Sequence, residues 1–483
     1  MLQKNLRVVS LIGGAIIAIL FYYLNPLGLN EHACKVLSIA ILMVSWWVTE
    51  AMPLPAVALL PIILFPLLKI ASIEETASPY AHPIIFLFMG GFMIGLAIEK
   101  WNLHKRIALN IVRLTGTSGN RIVLGFILAS GLLSMWLSNT ATTMMMFPIA
   151  LSVIHVMKDN NNIGGNIQNF SITLLMAIAY AANFGGIATI IGTPPNVAFV
   201  GFIEKKYNHA IDFIDWMLLC MPIAILLMFS LYWVMTRLLY PNHIKKSDAT
   251  SKLIHDEINQ LGPLSIAEKR VLIVFLSTAF LWITKSIINQ TGIIKLDDSI
   301  IAMIGALALF IIPSGMKDSK GSVLLDWTDT KNMAWGILVL FGGGITLAQA
   351  LENAGLIEQL GQWLAQFSSN GLLLIFAITV ISVFLSELMS NVAQVIVFAP
   401  VIAGLADALG MNPLMLGIPM TLAASCASML PMGTPPNAIV FSSGMIRLHH
   451  MTKTGFIMNM ISIILITLFS WFLIPLLIGN IGK

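Results

Sequence analysis

The pentapeptide Gly-Thr-Pro-Pro-Asn stands twice in this chain, at Gly192–Asn196 and Gly433–Asn437, each time inside a long apolar run, residues 170–201 and 412–443. A helix needs about 20 apolar residues to cross a bilayer, and both runs exceed that. Adjacent prolines do not fit a helix interior, because they lack the N–H and push the preceding residue out of the helical region. Each run therefore reads as two half-helices with unwound backbone at mid-membrane. Such backbone is tolerated in lipid only where it lines a cavity.

The rest of the chain leaves no room for a water-soluble fold. Of the 483 residues, 58% are hydrophobic and 10% charged, against about 45–50% apolar and 25% charged in soluble domains. A β-barrel of the outer membrane would alternate polar and apolar residues in weak segments, whereas these runs are continuous. An all-α polytopic membrane protein remains. Spans are predicted at 6–25, 34–51, 54–70, 80–99, 170–201, 214–239, 270–289, 299–314, 333–352, 412–443 and 455–478. The first lacks a small-residue cleavage site and reads as a span rather than a signal peptide. Stretches 122–157 and 372–409 are nearly twice a span and carry polar clusters near the middle, Ser138-Asn139-Thr140 and Ser390-Asn391. At 1.5 Å per residue, each fits two short helices that enter and return on one side. The expected fold is thus about eleven transmembrane helices plus two re-entrant hairpins with polar tips.

Basic residues set the orientation. With the N-terminus cytoplasmic and the C-terminus external, 19 of the 26 Lys and Arg fall inside and 7 outside, as expected in a cytoplasmic (inner) membrane. The hydrophilic segment Pro241–Arg270 then reads as a cytoplasmic connector. No basic block is dense enough for nucleic acid. Cys34, Cys220 and Cys426 are isolated, and His449-His450 point in different directions on a helix, so no disulfide or transition-metal site is expected. No paired acid, Ser-His or Ser-Lys arrangement, or His-Glu-x-x-His helix marks an intramembrane enzyme, and no residue is assigned as catalytic.

Self-comparison extends the repeat. Leu87-Phe88-Met89-Gly90-Gly91 matches Leu340-Phe341-Gly342-Gly343-Gly344, with Glu99 and Leu103 matching Glu352 and Leu356. Leu137-Ser138-Asn139-Thr140-Ala141 matches Met389-Ser390-Asn391-Val392-Ala393. The first copy continues through 100–121 with five cationic residues, the second through 353–374 with none. Both stretches are amphipathic, so one arm is expected inside and the other outside, which makes the repeat inverted. Inverted repeats with broken helices mark secondary transporters, whose site lies at the repeat interface. Freed carbonyls at the breaks suit cations, and free N–H groups with hydroxyl and amide side chains suit an anion.

These two tips and two Gly-Thr-Pro-Pro-Asn breaks, with Glu50-Ala51-Met52-Pro53 near the start, resemble the divalent anion/sodium symporter family over essentially the whole chain. The resemblance implies an elevator-type transporter working as a homodimer in lipid. It takes up di- or tricarboxylates (succinate, fumarate, malate, citrate) by sodium symport. A sodium-independent dicarboxylate exchanger and a sodium-sulfate symporter are the alternatives within the family. It implies sodium at two sites at least, one with Ser134, Ser138, Asn139 and Gly192, the other with Ser386, Met389, Asn391 and Gly433. It implies substrate contacts from Asn139, Thr140, Ser390, Asn391, Thr434 and Pro435. Residues 1–121 would carry scaffold helices and the first amphipathic arm, and 122–240 the first hairpin and broken helix of a transport domain. Residues 241–371 would carry the linker, scaffold helices and second arm, and 372–483 the second hairpin, broken helix and last span. Glu387, the acid beside the second tip, reads either as a buried structural partner or as a substrate- or proton-sensing group.

This chain has Val392 where many members have Thr, removing one hydroxyl from the second tip. A hydrogen bond to a charged group is worth about 1.5–3 kcal/mol, so Val392→Thr is expected to tighten succinate binding roughly tenfold. Unchanged affinity with a lowered melting temperature would show that the position faces the protein rather than the substrate.

Overall fold

Apolar helices account for most of the chain, and prolines, glycines and side-chain caps set where they stop. The computed structural model describes residues 2–159, 165–246, 248–292, 294–315, 322–366 and 370–477. Helices α1 (Leu2–Leu24) and α2 (Glu31–Val48) pack on each other, the second opened by the Asn30 side chain accepting from Ala33 N. The expected span at 54–70 is instead two short pieces, α3 (Leu54–Val57) and α4 (Leu60–Leu67), because Pro61 cannot donate within a continuous helix and opens a new one, while Pro66 removes a hydrogen bond near the end of α4. Helix α5 (Ile73–Ala77) begins with a Ser72–Glu75 capping box and leads into α6 (Pro83–Lys100) and the amphipathic arm α7 (Leu103–Thr115).

The first hairpin is α8 (Gly119–Ser134) and α9 (Asn139–Asp159). The first broken helix is α10 (Ile167–Gly186) and α11 (Pro194–Tyr207). Next come α12 (Phe213–Trp233), α13 (Asp248–Gln260), α14 (Ile266–Gln290) and α15 (Asp298–Ile311). The second half repeats the order: α16 (Trp335–Asn353), arm α17 (Leu356–Ala365), hairpin α18 (Gly371–Ser386) and α19 (Asn391–Leu409), then broken helix α20 (Pro413–Ala424) and α21 (Pro435–Phe441), closed by α22 (Leu448–Leu477). Even the internal prolines of the hairpins correspond, Pro148 in α9 and Pro400 in α19.

Ten helices among the described residues are long and apolar enough to cross a membrane. They include the hairpin limbs α9 and α19, whereas the spans expected at 299–314 and 412–443 hold shorter helices. The segment 241–270 is more than a connector: it contains α13, which packs on α7 and α9. Arg106 of α7 pairs with Glu268 at 2.7 Å and donates to the carbonyls of Gly262 and Leu261, while Lys105 pairs with Glu257 at 2.9 Å. At the other end of the helices, Lys285 lies 2.6 Å from Asp212 and 2.9 Å from Asp298, and Lys206 lies 2.9 Å from Asp407.

Close approach of the central helices depends on small residues. A methyl at Gly185 of α10 would collide with the Gly131 carbonyl of α8, and one at Gly361 of α17 with that of Gly404 in α19. The two halves interlock: α21 packs on α9 and α10, and α11 packs on α19 and α20. Each short half-helix therefore lies against the hairpin of the other copy, which brings both tips and both breaks to the middle of the molecule.

Candidate functional site

Pro-Pro does more than interrupt the two long runs. In each copy the prolines occupy the first positions of the second half-helix, at Pro194 and Pro435, where the missing N–H would be unpaired anyway and the fixed φ suits a helix. The preceding Thr193 and Thr434 are extended. Unwound backbone runs through 187–193 and 425–434, and its polar groups need partners.

The Asn of each motif supplies some of them. Asn196 Nδ2 donates to the Thr189 carbonyl at 2.8 Å and to those of Gly186 and Ile187 at 3.4 Å. Asn437 Nδ2 donates to the carbonyls of Leu430 at 3.2 Å and Ala427 at 3.4 Å. Thr189 ties the first break to the first tip: its hydroxyl donates to the Met135 carbonyl at 2.5 Å and accepts from Gly192 N at 3.0 Å. The second break uses a charge instead. Glu387, only 4% exposed, accepts from the backbone N–H of Ser428 and Met429 at 2.8 Å, of Leu430 at 3.0 Å, and from Asn459 Nδ2 at 2.8 Å. Of the two readings of Glu387, the geometry is that of a structural partner.

At the first tip, Ser134 Oγ donates to Asn139 Oδ1 at 2.5 Å, and Ser138 Oγ accepts from Ala141 N at 3.1 Å. Oxygens crowd the glycines opposite. A methyl on Gly192 would meet the Gly186 carbonyl and lie 3.0 Å from that of Ser134, and a methyl on Gly186 would meet Asn139 Oδ1. Ser134, Asn139 and Gly192 are thus brought together, with Gly186 added. Ser138 lies on the exposed side of the tip, beside a pocket of about 130 Å³ bordered by Gly91, Gly95 and Glu99. Uncharged carbonyl and amide oxygens on unwound backbone are a donor set that fits sodium.

The second tip differs. Asn391 Oδ1 is buried and has no hydrogen-bond partner among the described residues, as is true of Asn196 Oδ1 and Asn437 Oδ1 in the two breaks. Ser386 is buried and donates to Val383 O at 2.9 Å, and Met389 and Ser390 are half-buried. Gly433 faces Glu387, with 3.0 Å from a methyl there to Oε2. Thr140 and Val392 are half-buried, the latter against the apolar core. Thr434 is buried and Pro435 exposed.

Sequence reasoning did not single out Asn183, in the last turn of α10, which is buried from Phe170 onward. Its Oδ1 accepts from Asn139 Nδ2 at 3.4 Å and its Nδ2 donates to Thr434 Oγ1 at 3.0 Å. A lone amide in the run Ala177–Gly186, otherwise apolar but for the Tyr180 hydroxyl, was the available signal.

A sequence profile of the sodium:sulfate symporter transmembrane region matches residues 3–478. The sodium-dependent dicarboxylate transporter SdcS of Staphylococcus saprophyticus is 40% identical over 481 residues, spanning 98% of this chain and 92% of the relative. Its namesake from Staphylococcus aureus strain MRSA252 is 38% identical with the same coverage. Among solved structures, the Alcanivorax borkumensis YdaH transporter superposes with a TM-score of 0.61 at 14% identity, covering 92% of this chain and 100% of that one. Neisseria gonorrhoeae MtrF gives 0.56 at 12%, over 84% and 83%. At such identities these two structures bear on the fold alone.

Glu387→Gln removes the charge and, with its oxygen kept at the position that takes three donors, turns its N–H2 toward the Leu430 N–H, leaving that buried group unpaired at about 1–3 kcal/mol and weakening the other three bonds. The variant is expected to melt several degrees below wild type. Unchanged melting with transport abolished would return Glu387 to the substrate site.

Proposed function

The chain belongs to the sodium:sulfate symporter family and is a transporter, not an enzyme; from that premise we propose that it imports small dicarboxylates by sodium symport. Succinate, fumarate and malate are the expected substrates, with citrate as a larger one. The observation that carries this reading is the orientation of Asn139. Its amide oxygen is turned to Ser134 Oγ and lies against Gly186, whose carbonyl faces Gly192 with that of Ser134, and its N–H2 is turned toward Asn183. One side chain thereby offers an oxygen to a cation and hydrogen to an anion.

Sodium rather than a proton suits this site. The first cradle has no acid, and Glu387 is engaged by four donors. Neither tip nor break contains Arg or Lys, so the anion would be held by amide and hydroxyl donors and by the bound cations, an arrangement that lets go when sodium leaves. The relatives, sodium-dependent dicarboxylate transporters by name, favour dicarboxylate over sulfate. We further read the hairpins and broken helices as a transport domain moving by an elevator step against a scaffold, in a homodimer of the cytoplasmic membrane. The basic arm α7 would lie on the cytoplasmic side and α17 outside, as in an inverted repeat.

Uptake of labelled succinate into proteoliposomes tests the reading. An inward sodium gradient is expected to drive uptake and choline to abolish it, while Asn391→Ala, whose amide oxygen has no partner to lose, loses uptake but keeps its melting temperature, and Asn139→Ala loses uptake while still folding. Uptake indifferent to choline but raised by internal succinate would make the protein an exchanger. A steep response to a proton gradient would remove sodium as the driving ion.

A further inference from the structure

Asn139 and Thr434 belong to different copies of the repeat, and among the described residues no hydrogen bond joins them directly. Asn183 stands between them, 1% exposed, and uses both ends of its amide to do so. The chain of groups has a single polarity. Asn139 Oδ1 faces the oxygen cradle of the first tip, Asn139 Nδ2 donates to Asn183 Oδ1, and Asn183 Nδ2 donates to Thr434 Oγ1. Thr434 Oγ1 also accepts from Asn437 N at 3.4 Å. With its oxygen occupied twice, the hydroxyl is left with its proton to give, which is what an anion needs.

We propose that Asn183 is a positioning residue that couples the cation at the first tip to the anion at the second break. A cation on Asn139 Oδ1 polarises that amide and strengthens the hydrogen bond it donates, and the effect passes along a chain of hydrogen bonds in a low-dielectric interior. The Thr434 proton therefore becomes a better donor when sodium is present. In the second copy the residue aligned with Asn183 through the Gly-Thr-Pro-Pro-Asn motifs is Ala424, so the relay runs one way across the repeat, from first tip to second break. The inference rests on the symport reading above and adds the residue that links its two ligands. Because coupling between two ligands is reciprocal, succinate must tighten sodium by the factor that sodium tightens succinate.

The test is calorimetric binding of succinate to purified protein in sodium and in choline, for wild type, Asn183→Ala and the near-isosteric Asn183→Asp. Asp keeps the acceptor for Asn139 and loses the donor to Thr434. In wild type, sodium is expected to lower the succinate Kd strongly. Both variants are expected to shrink the ratio of the two Kd values about tenfold, the scale of one hydrogen bond to a charged group. Adding Thr434→Val to Asn183→Ala is expected to cost the ratio nothing more, since the relay is already cut. A ratio unchanged in the variants, or affinity lost equally in sodium and choline, overturns the inference and leaves symport standing. If Asn183→Ala does not fold, the Asp variant decides by the same ratio. A wild-type Kd independent of sodium overturns the symport reading and this inference with it.

Discussion

Backbone polar groups freed inside an apolar interior must find partners, and this requirement organises the middle of the molecule. Two Pro-Pro breaks release carbonyls and N–H groups where no water is at hand, and an unpaired buried group costs about as much as a lost hydrogen bond. The chain meets part of the demand with side chains that reach back: Asn196 and Asn437 to carbonyls, Thr189 to the first tip, Glu387 to three successive N–H groups. What these residues leave unfilled is where we place the site. Beside Gly192 stand the carbonyl oxygens of Gly186 and Ser134, and at Asn391 an amide oxygen has no partner among the described residues.

The two copies solve the problem differently. Where the first tip uses the hydroxyl of Thr189 and the carbonyl of Met135, the second places a carboxylate, Glu387, one residue after the hairpin limb ends. A carboxylate accepts several hydrogen bonds at once, and here it holds residues 428–430 rather than a ligand. Small residues then let the supports close up, as at Gly131 against Gly185.

Much of this was legible in the sequence. The hairpins appear as α8–α9 and α18–α19 near the expected bounds, because a polar tip in an apolar double span has few alternatives. The breaks appear because Pro-Pro permits nothing else. The span at 54–70 was missed in its detail: hydropathy counted apolar residues there and ignored three prolines. Helix α13 was hidden because its partners, Lys105 of α7 among them, are distant in sequence. Asn183 was hidden for a related reason. Its role exists only once α10 packs against α9 and α21, and a single amide in an apolar helix has no local pattern to betray it.

The central claim is that the first tip and first break together hold a cation on uncharged oxygens. Thallium is a monovalent cation with strong anomalous scattering, so a crystal structure of the protein with thallium in place of sodium tests it directly. The account expects an anomalous peak bonded to Asn139 Oδ1 and flanked by the Ser134 and Gly186 carbonyls. A cradle without a peak, in crystals whose thallium sits instead at acidic groups such as Asp407 or Glu352, would contradict it.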